Sequence, residues 1–252
     1  MKWVILTAIG VGGATVVGAL FGFLIKKPSQ KLSDIILSFA AGIMLCAAIV
    51  GLILPSFEGG GNLSLLITAA GVFSGALCLN LIDKLVPHLH KITGVDSEAH
   101  PDSTENLGKV LLFVIAIAIH NLPEGIAAGV SFGTENTARA FTVAGGIILQ
   151  NIPEGMVIIA PMLASGMTKG RTFIIALFTG IIEVVGTFAG YFAVSVSSAV
   201  LPFALAFAGG TMLYVISDEM IPETHSHGNE RAATYALISG FLVMLTFDNL
   251  LG

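Results

Sequence analysis

Apolar residues run along this chain in stretches of twenty or more, separated by short polar clusters. Eight windows reach the length needed to cross a hydrocarbon layer of about 30 Å: 3–25, 32–54, 63–86, 107–131, 138–165, 171–196, 199–221 and 232–251. The sixth and seventh are divided only by the charge-free region from Ser195 to Pro202, but one helix over 171–221 would be far too long for a single crossing. The pattern predicts an all-α integral membrane protein with eight transmembrane helices, forming one domain over residues 1–252.

Composition supports the bilayer. The chain is 55% hydrophobic and 11% charged with a mean hydropathy of +0.92, whereas soluble domains carry about 25% charged residues. A net charge of -5 leaves no basic stripe for a nucleic acid. Cys46 and Cys78 both lie in apolar stretches, which argues against a disulfide framework and against a thiolate metal site. The stretch from Trp3 to Ile25 is long enough to span and is followed by Lys26 and Lys27, so it reads as a retained first helix and not a cleaved signal.

The basic residues set an orientation. Lys26, Lys27, Lys31, Lys84, Lys91, Lys109, Lys169, Arg171 and Arg231 flank the loops after helices 1, 3, 5 and 7, and only Lys2 and Arg139 fall on the other side. The odd loops are therefore expected in the cytoplasm, with both termini outside. The longest connection, 87–107, has the polar, Pro-containing composition of a mobile cytoplasmic loop.

One hexapeptide carries the chemistry. His120-Asn121-Leu122-Pro123-Glu124-Gly125 falls in helix 4, and Gln150-Asn151-Ile152-Pro153-Glu154-Gly155 in helix 5, thirty positions later. At about 1.5 Å per residue, Glu124 lies roughly 25 Å along its helix and Glu154 roughly 24 Å along the oppositely directed next one. Glu183 in helix 6 lies roughly 18 Å along. Three carboxylates thus share one central layer, where each charged one costs about 2.5–3.5 kcal/mol on insertion scales. A bound divalent cation removes that cost and the mutual repulsion.

Within each helix, positions i and i+4 share a face, which aligns His120 with Glu124 and Gln150 with Glu154 as two chelating pairs. Pro123 and Pro153 remove backbone hydrogen bonds and are expected to bend both helices locally. Irregular backbone at this depth is tolerated where protein or a wet cavity covers it. Imidazole, carboxylate and amide oxygen without thiolate suit zinc, and also cadmium, iron or manganese, better than copper(I). Calcium or magnesium is more usually met by oxygen alone.

With HNLPEG and QNIPEG on consecutive helices and Glu183 on the next, the chain resembles the Zrt/Irt-like (ZIP) family of metal transporters, and Gln150 in place of a second histidine resembles its bacterial GufA-type branch. The resemblance covers all eight spans. It implies a 3+2+3 helix arrangement with inverted repeats, frequent homodimers in a bacterial inner membrane, and import by an elevator-like movement of helices 1, 4, 5 and 6. It further implies a binuclear site. One metal would be held by His120, Glu124, Gln150, Asn151 and Glu154 with Met44 as a thioether ligand, the second by Asn121, Glu124, Asn151, Glu154 and Glu183.

Further candidates lie at the two ends of the bundle. Glu58 and Asp248 are placed to attract cations at an entrance. Asp218, Glu219 and Glu223 with His225 and His227 form an exit patch, to which His88, His90 and His100 of the long loop would contribute. Asp34 beside Lys31 and Asp83 beside Lys84 read as helix-terminus charges. Two competing functions are an intramembrane metalloenzyme, for which the chain lacks His-Glu-Xaa-Xaa-His, and a proton-coupled carrier of organic substrates, for which no aromatic lining flanks the motifs.

Overall fold

The computed structural model describes residues 1–25, 29–85, 119–134, 136–164 and 166–251. Eight helices follow in chain order: α1 (Lys2–Leu24), α2 (Gln30–Ser56), α3 (Gly61–Leu85), α4 (119–131), α5 (Thr137–Ala164), α6 (Lys169–Val196), α7 (Leu201–Thr224) and α8 (Glu230–Leu251). Seven of them are long and apolar enough among the described residues to cross a membrane. The predicted loop 87–107, with His88, His90 and His100, lies outside the described residues, as does the side chain of Asp83.

Local chemistry sets the helix starts. Ser29, Asn136 and Thr168 have extended backbone and accept from the amides of Leu32, Arg139 and Arg171 with their side chains, satisfying donors that a helix N-terminus leaves unpaired. Pro202 opens α7, where its missing N–H costs nothing. A 3-10 turn at Ser198–Val200 separates α6 from α7. The turn from α2 to α3 places Gly60 and Gly61 at φ +68° and +81°, a left-handed backbone that glycine enters without a Cβ penalty. Large side chains such as Phe73, Leu66 and Ile174 stay exposed on the outer faces, as lipid-facing positions do.

Three helices depart from regularity. Helix α2 passes through a π segment at Ala47–Ile53, and α7 through another at Ile216–Met220. Helix α5 continues past Pro153 to Val157 and breaks at Ile158, whose N–H still donates to the Glu154 carbonyl at 3.2 Å.

Glycines reveal an internal symmetry. Gly12, Gly18 and Gly22 of α1 have counterparts 168 positions later in Gly180, Gly186 and Gly190 of α6, and Gly42 of α2 has one in Gly210 of α7. Their packing partners correspond as well. A Cβ on Gly18 would stand 2.2 Å from the carbonyl oxygen of Ile152 in α5, and one on Gly186 2.6 Å from that of Leu122 in α4. Gly42 approaches Leu237 of α8 as Gly210 approaches Val72 of α3. Helices α1–α3 and α6–α8 are thus two repeats around the central pair α4 and α5, the expected 3+2+3 arrangement. The short backbone approaches fall within two groups, one of α1, α4, α5 and α6 and one of α2, α3, α7 and α8. Between the groups, glycines of α5 meet side chains: Gly145 meets the Phe247 ring and Gly146 the Met244 thioether.

Candidate metal centre

The glycine that ends each motif brings a third and a fourth helix onto the site. A Cβ on Gly125 would lie 2.2 Å from the carbonyl oxygen of Glu183 in α6, and one on Gly155 2.2 Å from that of Thr15 in α1. Only glycine permits these approaches, and they bring α6 and α1 against the two motif helices. Asn121, Glu124, Gln150, Asn151 and Glu183 are all buried there, whereas His120 and Glu154 are partly exposed.

Glu183 is a hub. Its Oε1 accepts from the Thr15 hydroxyl at 2.5 Å and from the Asn121 amide, and its Oε2 from the Asn151 amide at 2.6 Å. Asn151 also donates to the carbonyl of Val11 at 3.2 Å. Both N–H bonds of that amide are thereby used, and its orientation is fixed. Its Oδ1 is buried without a hydrogen-bond partner.

Within this cluster four more buried polar atoms make no hydrogen bond of regular geometry: both carboxylate oxygens of Glu124 and both amide atoms of Gln150. The Gln150 amide lies against the Glu124 carboxylate, which is also within electrostatic reach of Glu154 and Glu183. Each buried polar group without a partner costs about 1–3 kcal/mol, and more when charged. Carboxylate oxygens and amide oxygens left in this way form a donor set for a cation.

His120 turns toward the other group of helices. Its Nε2 lies 2.5 Å from Oε2 of Glu219, within the π segment of α7, and its ring is within electrostatic reach of Glu154. The described residues contain no group of three or more His, Cys, Asp or Glu side chains arranged to hold a metal ion. Amides account for this in part, since Asn121 and Asn151 contact Glu183 and Gln150 faces Glu124. Met44 is fully buried in an apolar cluster with Val11, Ala127, Ala128, Val143 and Ile147.

Comparison with known proteins decides the family. The ZIP Zinc transporter family matches residues 93–248. Relatives include the zinc transporter GufA of Myxococcus xanthus, 41% identical over 96% of both chains, and the zinc transporter ZIPB of Bordetella bronchiseptica, 35% identical over 95% of this chain and 78% of that one. The human zinc transporter ZIP11 is 30% identical, over 95% of this chain and 94% of its own. This chain belongs to the ZIP family. ZIP proteins are integral membrane transporters and not enzymes, which removes the metalloenzyme reading.

Other residues of this ZIP chain have partners that the sequence reading did not name. Asp34, near the start of α2, is a buried carboxylate: it is 2% exposed and accepts from Gln30 at 3.0 Å and Asn229 at 2.9 Å, with His227 Nδ1 at 3.1 Å. This ties the start of α2 to the α7–α8 loop. His225 is occupied locally, with Nδ1 2.9 Å from the Ile221 carbonyl oxygen and Nε2 3.1 Å from the Thr234 hydroxyl. Glu58 lies 2.6 Å from Arg139, linking the end of α2 to α5.

Thr15 escapes a search for metal-ligating residue types, because threonine on an apolar helix reads as packing. A signal was nonetheless available. Residues 12–22 and 180–190 share the glycine spacing and the Val-Val-Gly that follows Thr15 in one copy and Glu183 in the other.

Proposed function

We propose that this chain carries zinc across the bacterial inner membrane toward the cytoplasm through the cluster between α1, α4, α5 and α6, with both termini outside. The observation that carries this reading is the set of unpartnered buried oxygens on Glu124, Gln150 and Asn151. A zinc ion coordinated by these atoms, with Glu154 and His120 completing its shell, satisfies them. Met44 is the candidate thioether ligand from α2. Cadmium, iron and manganese fit the same donors and are proposed as competitors.

A second ion shared by Asn121, Glu124, Asn151, Glu154 and Glu183 is the weaker of the two, because three donors already occupy the Glu183 oxygens. Alternating access follows the division of the fold. Close backbone contacts make α1, α4, α5 and α6 one body, and its looser side-chain contacts with the other helices are where an elevator-like slide would occur. Exposure of His120, Glu154 and Glu219 suits release on the side of the α7–α8 loop. The homodimer common in the family would pair the outer faces of two copies.

Proteoliposomes loaded with a fluorescent zinc indicator test the reading, with cadmium, iron, manganese and magnesium as competitors. Zinc entry reduced by the first three and untouched by magnesium is expected. Zinc entry unaltered after replacing His120, Glu124 and Glu154 together would overturn the proposal and favour an organic substrate.

A further inference from the structure

We propose that Thr15 is a positioning residue for the transport site, acting through Glu183. The inference rests on the reading of this cluster as a zinc site. Glu183 receives three side-chain donors, and two of them, Asn121 and Asn151, belong to the metal motifs. The third, Thr15, comes from α1 and donates to Oε1 at 2.5 Å. Glu183 thereby orients both motif amides, and Thr15 orients Glu183.

The internal symmetry gives this contact its meaning. Thr15 stands 168 positions before Glu183, the offset that relates Gly12, Gly18 and Gly22 to Gly180, Gly186 and Gly190. Thr15 is therefore the counterpart of Glu183 in the inverted repeat. One repeat brings a carboxylate to the centre, and the other brings the hydroxyl that fixes it. A symmetric pair of carboxylates would repel at this distance, whereas a hydroxyl and a carboxylate bond.

The neighbouring backbone is equally constrained. The Thr15 carbonyl packs on Gly155, the Glu183 carbonyl on Gly125, and Gly12 on Gly180. Thr15 is 3% exposed, so its hydroxyl is shielded from bulk water. With Val11 holding the same amide of Asn151, α1 fixes the direction of a proposed ligand oxygen through two routes. Helix α1 thus joins the site by orienting its ligands, without supplying a ligand itself.

Loss of an outer partner that orients a metal ligand costs about 10–100-fold in affinity. Thr15→Val keeps the shape and removes the donor, and Thr15→Ser keeps the donor. Zinc binding to purified protein and zinc entry into proteoliposomes are measured for both, alone and combined with Glu183→Gln. Expected are zinc affinity weakened about tenfold or more in Thr15→Val, with KM raised more than kcat is lowered, and recovery to within about threefold of wild type in Thr15→Ser. In the Glu183→Gln background, Thr15→Val should add little.

Three results would overturn the proposal: a Thr15→Val protein that binds zinc like wild type, equal defects in the valine and serine variants, or full additivity with Glu183→Gln. Any of these, with wild-type protein binding zinc, rejects the role of Thr15 and leaves the site intact. Wild-type protein that fails to bind zinc removes both.

Discussion

Alanine at Gly155 should loosen the junction on which the centre is built. The added Cβ would stand 2.2 Å from the Thr15 carbonyl oxygen and 3.0 Å from the Ala19 nitrogen, where ordinary contacts begin at 3.4 Å. Helices α1 and α5 must therefore separate by about 1 Å. Both obstructing atoms are main chain, so no rotamer change relieves the overlap. The upper part of the range of about 1–3 kcal/mol for overpacking applies. Helix propensity returns up to about 1 kcal/mol, leaving a net loss of roughly 2 kcal/mol. Gly13 is the control, since a Cβ there meets nothing within 4 Å, and Gly13→Ala should be neutral or slightly stabilising. The assay is thermal unfolding in detergent followed by fluorescence-detected gel filtration, with zinc entry measured in parallel. Gly155→Ala should lower the midpoint and slow entry, because Thr15 and Glu183 move with α1. Equal midpoints for Gly155→Ala and Gly13→Ala would refute the close-packing argument.

Protons should compete with zinc for His120 and the carboxylates, since ligands bind metal only when deprotonated. Zinc binding to purified protein should therefore weaken as pH is lowered from about 7.5 to about 5.5, and Glu124→Gln should reduce that dependence; binding that strengthens in acid would contradict it. Replacing Asp34 by alanine removes the hydrogen bonds from Gln30 and Asn229 to a buried carboxylate, at about 0.5–1.5 kcal/mol each because both amides can turn to water, so the thermal midpoint should fall, and fall less with asparagine. At the opposite end, Glu58→Gln should leave the midpoint nearly unchanged, because exposed ion pairs contribute about 0–1 kcal/mol. Its effect should instead be a lower zinc entry rate at low ionic strength that disappears in high salt.

Much of the fold was legible because a bilayer imposes length and hydropathy on each helix. The eight-helix architecture needed only those two quantities, and the break near Ser195 to Pro202 followed from the excessive length of its alternative. The π segments at Ala47–Ile53 and Ile216–Met220 were not legible, since hydrogen-bond register leaves no mark on hydropathy. Motif spacing identified His120, Glu124, Gln150 and Glu154 as candidates and paired His120 with Glu124 on its own helix, but it could not show that His120 also approaches Glu219 of α7. An i, i+4 argument sees one helix at a time. Asp34 illustrates the same limit: its neighbours in sequence marked a helix-terminus charge, and they could not show partners 193 and 195 positions away.

Direct zinc binding by purified protein, wild type against Glu124→Gln, tests the central claim most directly. Glu124 holds two of the five unpartnered atoms that define the centre, and glutamine keeps its shape while removing the charge. Binding followed by isothermal titration, with gel filtration confirming that both proteins are folded, should show zinc held by wild type and lost or strongly weakened in Glu124→Gln. Equal affinity and stoichiometry in the two proteins would place the transported metal elsewhere.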